Sequence, residues 1–241
     1  MYDSRFRLLA LCLLGTFSLA CGGPAQDPCV TDPSSCNPAG VTSYHIDFED
    51  ALSTVNGPPI PLNDGKHISQ LLHGDPKIVN NISAMVGNAL QFNTFSGSTY
   101  DQVSMDVRFN KNSYQITFDF YGATTVTNDN TFSVVLGFPT IQKLVFSIGK
   151  IRVDQPHTGI DGEITTKAIG NYADGVRYLV ELNVDMTGKT WEIFVDNVSL
   201  YQGAITADAD DLKNVRFVSG AFGANKAGSF VIDTIDIRET P

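Results

Sequence analysis

The chain has 241 residues, with 26 acidic against 16 basic side chains and a formal net charge of −10 at pH 7. That balance excludes nucleic acid as a partner, because binding the phosphate backbone needs a basic footprint, and it argues against anionic polysaccharides as well. The sequence also lacks H-E-x-x-H, paired C-x-x-C, P-loop and dinucleotide motifs, so those chemistries are without their usual signatures.

Arg5 and Arg7 precede an apolar run from Leu8 to Ala20, thirteen residues long and closed by Ser18-Leu19-Ala20. Such a run is too short to cross a bilayer as a helix and reads as a secretory signal peptide over 1–20. The junction FSLAC-GG resembles a bacterial lipobox, with Ser18 where the family usually has leucine. The resemblance implies that Cys21 is lipidated and becomes the mature N-terminus; ordinary cleavage after Ala20 is the alternative. With Cys12 removed, the exported chain keeps Cys21, Cys29 and Cys36. Three thiols in an oxidising compartment leave one over, and a lipid on Cys21 frees Cys29 and Cys36 to pair. That short closure stabilises by roughly 2.5 kcal/mol through the unfolded chain. No histidine lies near these cysteines, which argues against a metal site. Residues 21–43, rich in proline and glycine and poor in large apolar side chains, read as a flexible lipid-anchored tether.

From residue 44 to 241 strand signals dominate, and no long helical periodicity appears. Tyr44, Ile46 and Phe48 alternate with polar neighbours, as do Val103 to Phe109 and Tyr114 to Phe120. The stretches 131–136 and 143–148 are denser in apolar residues, as in central strands covered on both faces. The plainest meander runs from Val176 to Tyr201. Val180, Leu182 and Val184 alternate with Glu181, Asn183 and Asp185, and the chain reverses at MTGK, where Gly188 is free to take positive φ. Trp191, Ile193 and Val195 resume the alternation, Asp196-Asn197 suits a type I′ turn, and Val198 and Leu200 open a third strand. Such strands, apolar on one face, need a second sheet to cover them. The fold class is therefore all-β, a two-sheet antiparallel β-sandwich.

GNALQF (87–92), YLVELNVDMTGKTWEIFVDNVSL (178–200) and FVIDTIDI (230–237) resemble concanavalin-A-like and laminin-G-like jelly rolls, with Asn197 where the family usually has glycine. DFED (47–50) with VIDTID (231–236) is similar to the ends of galactose-binding-like carbohydrate-binding modules, the second-ranked resemblance. In such modules the first and last strands lie side by side, and a glutamate and an aspartate at their ends hold a structural calcium ion. The matching positions here are Glu49 and Asp233, and calcium suits an all-oxygen site. Asp233 shares a strand face with Val231, Ile235 and Ile237, where an uncompensated charge is costly; a carboxylate at the sandwich rim accepting backbone N–H bonds is the other account.

Catalytic signals are weak. Hydrolases on the concanavalin-like fold resemble one another in an E-x-D-x-E strand. The local match, Glu181-Leu-Asn-Val-Asp185, has Asn183 in place of the middle carboxylate and Asp185 in place of the last glutamate, and reads as a solvated strand face. His45, His67, His73 and His157 have no G-x-S-x-G elbow beside them. The acidic stretches 128–130 and 208–211 read as solvated loops, with calcium binding the lesser reading. Tyr100, Tyr121 and Tyr172 are the candidates for a sugar-stacking platform, while Trp191 alternates with core residues. These features point to a non-catalytic lipoprotein of the cell envelope, on the outer membrane or cell surface. Its sandwich binds a glycan or a surface protein, and it meets the membrane only through its lipid. A glycan-degrading enzyme with an unfamiliar site and a structural or adhesive protein are the alternatives.

Overall fold

The computed structural model describes residues 43–49, 70–73, 76–80, 82, 85, 87–94, 100–107, 112–123, 130–137, 140–155, 165–205, 212–221 and 228–240. Among them there are strands and turns and no helix. In chain order the strands are β1 (Ser43–Ile46), β2 (Gln70–His73), β3 (Lys77–Asn80), β4 (Asn88–Thr94) and β5 (Gln102–Asp106). Then come β6 (Ser113–Gly122), β7 (Asn130–Leu136), β8 (Gln142–Ser147), β9 (Lys150–Gln155) and β10 (Thr165–Asn171). The chain ends with β11 (Arg177–Asp185), β12 (Thr190–Val195), β13 (Val198–Ala204), β14 (Asn214–Ala221) and β15 (Gly228–Glu239).

One sheet runs β13-β12-β11-β6-β15-β4-β3, with β1 added beside β15; the other runs β10-β9-β8-β7-β14-β5-β2. All the pairings between strands are antiparallel. Alternation places one residue in two between the sheets, and that layer is strongly aromatic. Phe120 stacks on Phe146 at 4.0 Å, Phe132 meets Phe92 edge-on at 5.4 Å, and Phe118 meets Phe217 edge-on at 5.4 Å. Rings of this size contribute both buried area and favourable edge-to-face geometry. Trp191 joins the same core at 2% exposure, as its alternation indicates.

The β11–β12–β13 meander forms as its residues demand. Asp196 and Asn197 take φ of 49° and 64°, the pair of left-handed residues of a type I′ hairpin. The other turn differs from expectation. Lys189, not Gly188, carries the positive φ there, at 52°. Gly188 is needed for space instead, since a Cβ would come within 2.5 Å of the Asp185 carboxylate that accepts its N–H.

β15 changes partners midway. Gly228 to Ile232 pair with β4, and Ile235 to Arg238 pair with β1. Between them the register against β6 slips by one residue, Asp233 facing Asp119 and Asp236 facing Thr117. Thr234 occupies the bulge with φ of 47°, an unfavourable value for a β-branched side chain. The bulge inverts the strand's phase. Phe230 and Ile232 point into the core before it, and Ile235 and Ile237 after it. Asp233 therefore shares the outer face with Val231 and not with Ile235 and Ile237, as unbroken alternation implied.

Candidate functional site

The outer face of the seven-stranded sheet holds an open depression of about 360 Å³, within the size range of small-ligand sites. Register builds it. Arg216 lies opposite Ser104 on one side and Val135 on the other, and Val135 lies opposite Lys143. The next row places Gln102, Val218, Ser133 and Val145 side by side, and Gly220 faces Thr131. Tyr100 and Thr140 complete the lining from outside the strands. One aromatic ring, small apolar patches and many hydroxyl and amide groups thus share a shallow surface.

The basic groups are held in place. Arg216 Nη2 donates to Gly137 O at 3.1 Å and to Thr140 Oγ1 at 3.2 Å. Burial lowers the pKa of this guanidinium, and the nearby Tyr100 phenol acts in the opposite sense. Lys143 pairs with Asp154 of β9 at 3.7 Å, and Asp154 also accepts from Thr166 at 2.9 Å. Among its described lining residues the depression has no carboxylate.

The other sheet carries a hollow of about 440 Å³ lined by Ser43, Gln115, Thr117, Glu181, Asp236 and Arg238. Its polar groups are engaged: Arg238 Nε donates to Gln115 at 2.6 Å, and Asp236 bonds His45 at 2.6 Å. Among its described lining residues there is no aromatic ring.

Asp233 lies at the junction where β15 passes from β4 to β1, near enough to Glu49 for the charge of one to act on the other. Glu49 Oε1 accepts from Asn88 N at 2.7 Å, and Asp233 Oδ1 accepts from Thr234 N at 2.8 Å. Sequence reasoning missed the third acid there. Asp119, buried on β6, is salt-bridged to Arg177 at 2.5 Å, while its other oxygen is buried with no hydrogen-bond partner among the described residues. Burial is the main force pushing the Asp233 carboxyl up to about 6; the Thr234 N–H opposes it, the Asp119 and Glu49 charges add to it, and Arg177 opposes it. The donor set is all oxygen, as calcium requires. Among the described residues no three acids or histidines are close enough to hold an ion, and Glu49 and Asp233 are the two side chains that a calcium ion here would use.

The three tyrosines have different fates. Tyr100 lines the depression. Tyr121 lies on the outer face of the other sheet, packed with Met85, Ala89 and Val231. Tyr172 is corrected from a solvent-facing tip to a core residue: at 4% exposure it stands edge-on to Phe120 at 5.4 Å and Phe146 at 5.8 Å. No single platform unites them. Cys21, Cys29 and Cys36 lie outside the described residues. Arg216, Lys143, Gln102, Thr131 and Ser133 escaped sequence reasoning, because each looks like the ordinary polar side of a strand until the register is known.

No family model matches the chain, and no curated protein matches it in sequence. Solved structures define its class, an antiparallel jelly-roll-like β-sandwich. The fold is similar to that of a sialidase, at 12% identity and a TM-score of 0.61, over 83% of this chain and 18% of that one. It is also similar to a conserved carbohydrate esterase of the Shiga toxin-encoding bacteriophage phi24B, at 10% identity and a TM-score of 0.53, over 83% of this chain and 98% of that one. The chain spans less than a fifth of the sialidase, and at these identities the likeness concerns the fold alone.

Proposed function

We propose that this chain is a glycan-binding protein of the cell envelope, anchored through a lipid on Cys21 and engaging its ligand in the depression on the seven-stranded sheet. The carrying observation is the lining. The Tyr100 ring offers a stacking surface, Val135 and Val218 offer apolar contact for ring C–H faces, and Gln102, Thr131, Ser133 and Thr140 offer hydrogen bonds to hydroxyls. The names of the two neighbours, a sialidase and a carbohydrate esterase, agree with a carbohydrate ligand. Binding is favoured over hydrolysis because the described lining offers no pair of carboxylates to serve as acid and base.

A glycan array probed with the purified chain tests this reading. Binding to a defined set of glycans is expected, weakened about ten-fold by Tyr100→Ala through the loss of a stacking contact. Recovery of the bound glycan intact supports binding without turnover, whereas new chain ends after incubation would make the chain a glycan-degrading enzyme. An array with no ligand above background would overturn the reading.

A further inference from the structure

We propose that the depression selects an acidic glycan, one bearing carboxylate groups, with Arg216 and Lys143 as its anchors. This rests on the reading that the depression binds a glycan, and it runs against the net charge of −10. Whole-chain charge is a poor guide to one surface. At 0.1 M salt the screening length is about 10 Å, so remote carboxylates are largely masked while groups within the depression are not.

The described lining of the depression holds two cationic side chains and no carboxylate. On the outer faces of β7, β8, β9 and β14 the described charged side chains are Lys143, Lys150, Arg152 and Arg216 against Asp154 alone. Asp154 is already held by Lys143 and Thr166. Arg216 and Lys143 stand on strands separated only by β7, so their backbones are about 10 Å apart. Both side chains line one depression, where a ligand can meet them together.

Arg216 suits a carboxylate in particular. Its guanidinium is fixed by the Gly137 carbonyl and the Thr140 hydroxyl, so little freedom remains to be lost on binding. It is partly desolvated, which strengthens its attraction to an incoming anion relative to a cation in open water. The guanidinium supplies a fixed positive charge for a carboxylate, and the surrounding hydroxyl and amide groups match the rest of a sugar ring.

The test is calorimetric titration of the purified chain with three ligands: an oligouronate, the same oligosaccharide with its carboxyls reduced to the neutral sugar, and a sulfated neutral oligosaccharide. The oligouronate is expected to bind about ten-fold or more tightly than its neutral counterpart, and to weaken as salt rises from about 0.05 to about 0.5 M. Arg216→Gln and Lys143→Gln should each weaken the oligouronate about ten-fold and weaken the neutral sugar by a smaller factor. Arg238→Gln on the opposite sheet should alter neither. If Arg216→Gln fails to fold, Lys143→Gln and Lys143→Glu decide the matter, the second being the more severe. Equal or tighter binding of the neutral sugar would overturn the acidic preference and leave glycan binding standing. Tighter binding of the sulfated sugar would overturn the carboxylate assignment. No binding of any of the three would count against both readings.

Discussion

Asp233 is where single residues decide the stability of the fold. Burial pushes its carboxyl up to about 6 in the folded chain, from an ordinary value of 3.8. Between those values the folded state holds a proton that the unfolded state has released, so stability falls as pH rises and the full penalty stands above about pH 6. His45 works in the same direction. Its pKa is raised first by the hydrogen bond to Asp236, against desolvation and with help from the charges of Asp236 and Asp47, so its contribution is present at low pH and lost on deprotonation. Without divalent ions the melting temperature should therefore be higher at pH 5.5 than at pH 7.5. Asp233→Asn should flatten that dependence and gain on the order of 2 kcal/mol at pH 7.5. An unchanged pH profile in the variant would refute the assignment. If calcium binds between Glu49 and Asp233 as we propose, millimolar calcium should raise the melting temperature over EDTA, more at pH 7.5 than at 5.5, and Asp233→Asn should abolish the response. Equal curves in calcium and EDTA would remove the ion. Gly87 belongs to the same junction: its φ is +85°, and a Cβ would overlap the Glu49 carboxylate at 1.7 Å. Gly87→Ala should cost about 1–3 kcal/mol by chemical denaturation, and an unaffected variant would mean that Glu49 moves aside freely.

At the scale of elements, the sequence was most readable where alternation ran unbroken. β6, β11 and β12 show it in Tyr114 to Phe120, Val180 to Val184 and Trp191 to Val195, and Asp196-Asn197 marked its turn because few residue pairs accept two left-handed conformations. β15 was misread in phase, since a one-residue bulge at Thr234 leaves no mark in composition while reversing every side chain beyond it. The calcium candidates Glu49 and Asp233 were legible as a pair through resemblance. Asp119 was not, because its place beside Asp233 depends on a pairing more than a hundred residues apart in sequence. The depression was illegible for the same reason: Gln102, Ser133, Lys143 and Arg216 lie on four strands that meet only through register. The type I′ turn offers a direct check. Asn197→Gly should leave stability within about 0.5 kcal/mol of the parent, as glycine accepts φ of 64° without strain. Asn197→Val should lose more than 1 kcal/mol or so, because a β-branched residue does not.

For the whole molecule, the proposed membrane anchor is a lipid on Cys21. Intact-mass measurement of the exported chain should show an N-terminus at Cys21 carrying acyl groups, and an unmodified Cys21 or cleavage elsewhere would refute the anchor. Alkylation without reduction should leave Cys29 and Cys36 unlabelled. If Cys29 and Cys36 pair within the proposed tether, Cys29→Ser should barely change the melting temperature of the sandwich. The seven-stranded sheet carries Lys143, Lys150, Arg152 and Arg216 together with Asp154, and the junction on the other sheet carries Glu49, Asp119 and Asp233 together with Arg177. The measurement that tests ligand binding at this surface most directly is amide chemical-shift mapping of the labelled chain, titrated with the strongest glycan from the array. Saturable shifts clustered at Tyr100 to Ser104, Thr131 to Val135, Thr140 to Lys143 and Arg216 to Gly220 are the expected result. Shifts clustered instead around Gln115, Thr117, Glu181 and Arg238 on the opposite sheet would contradict it.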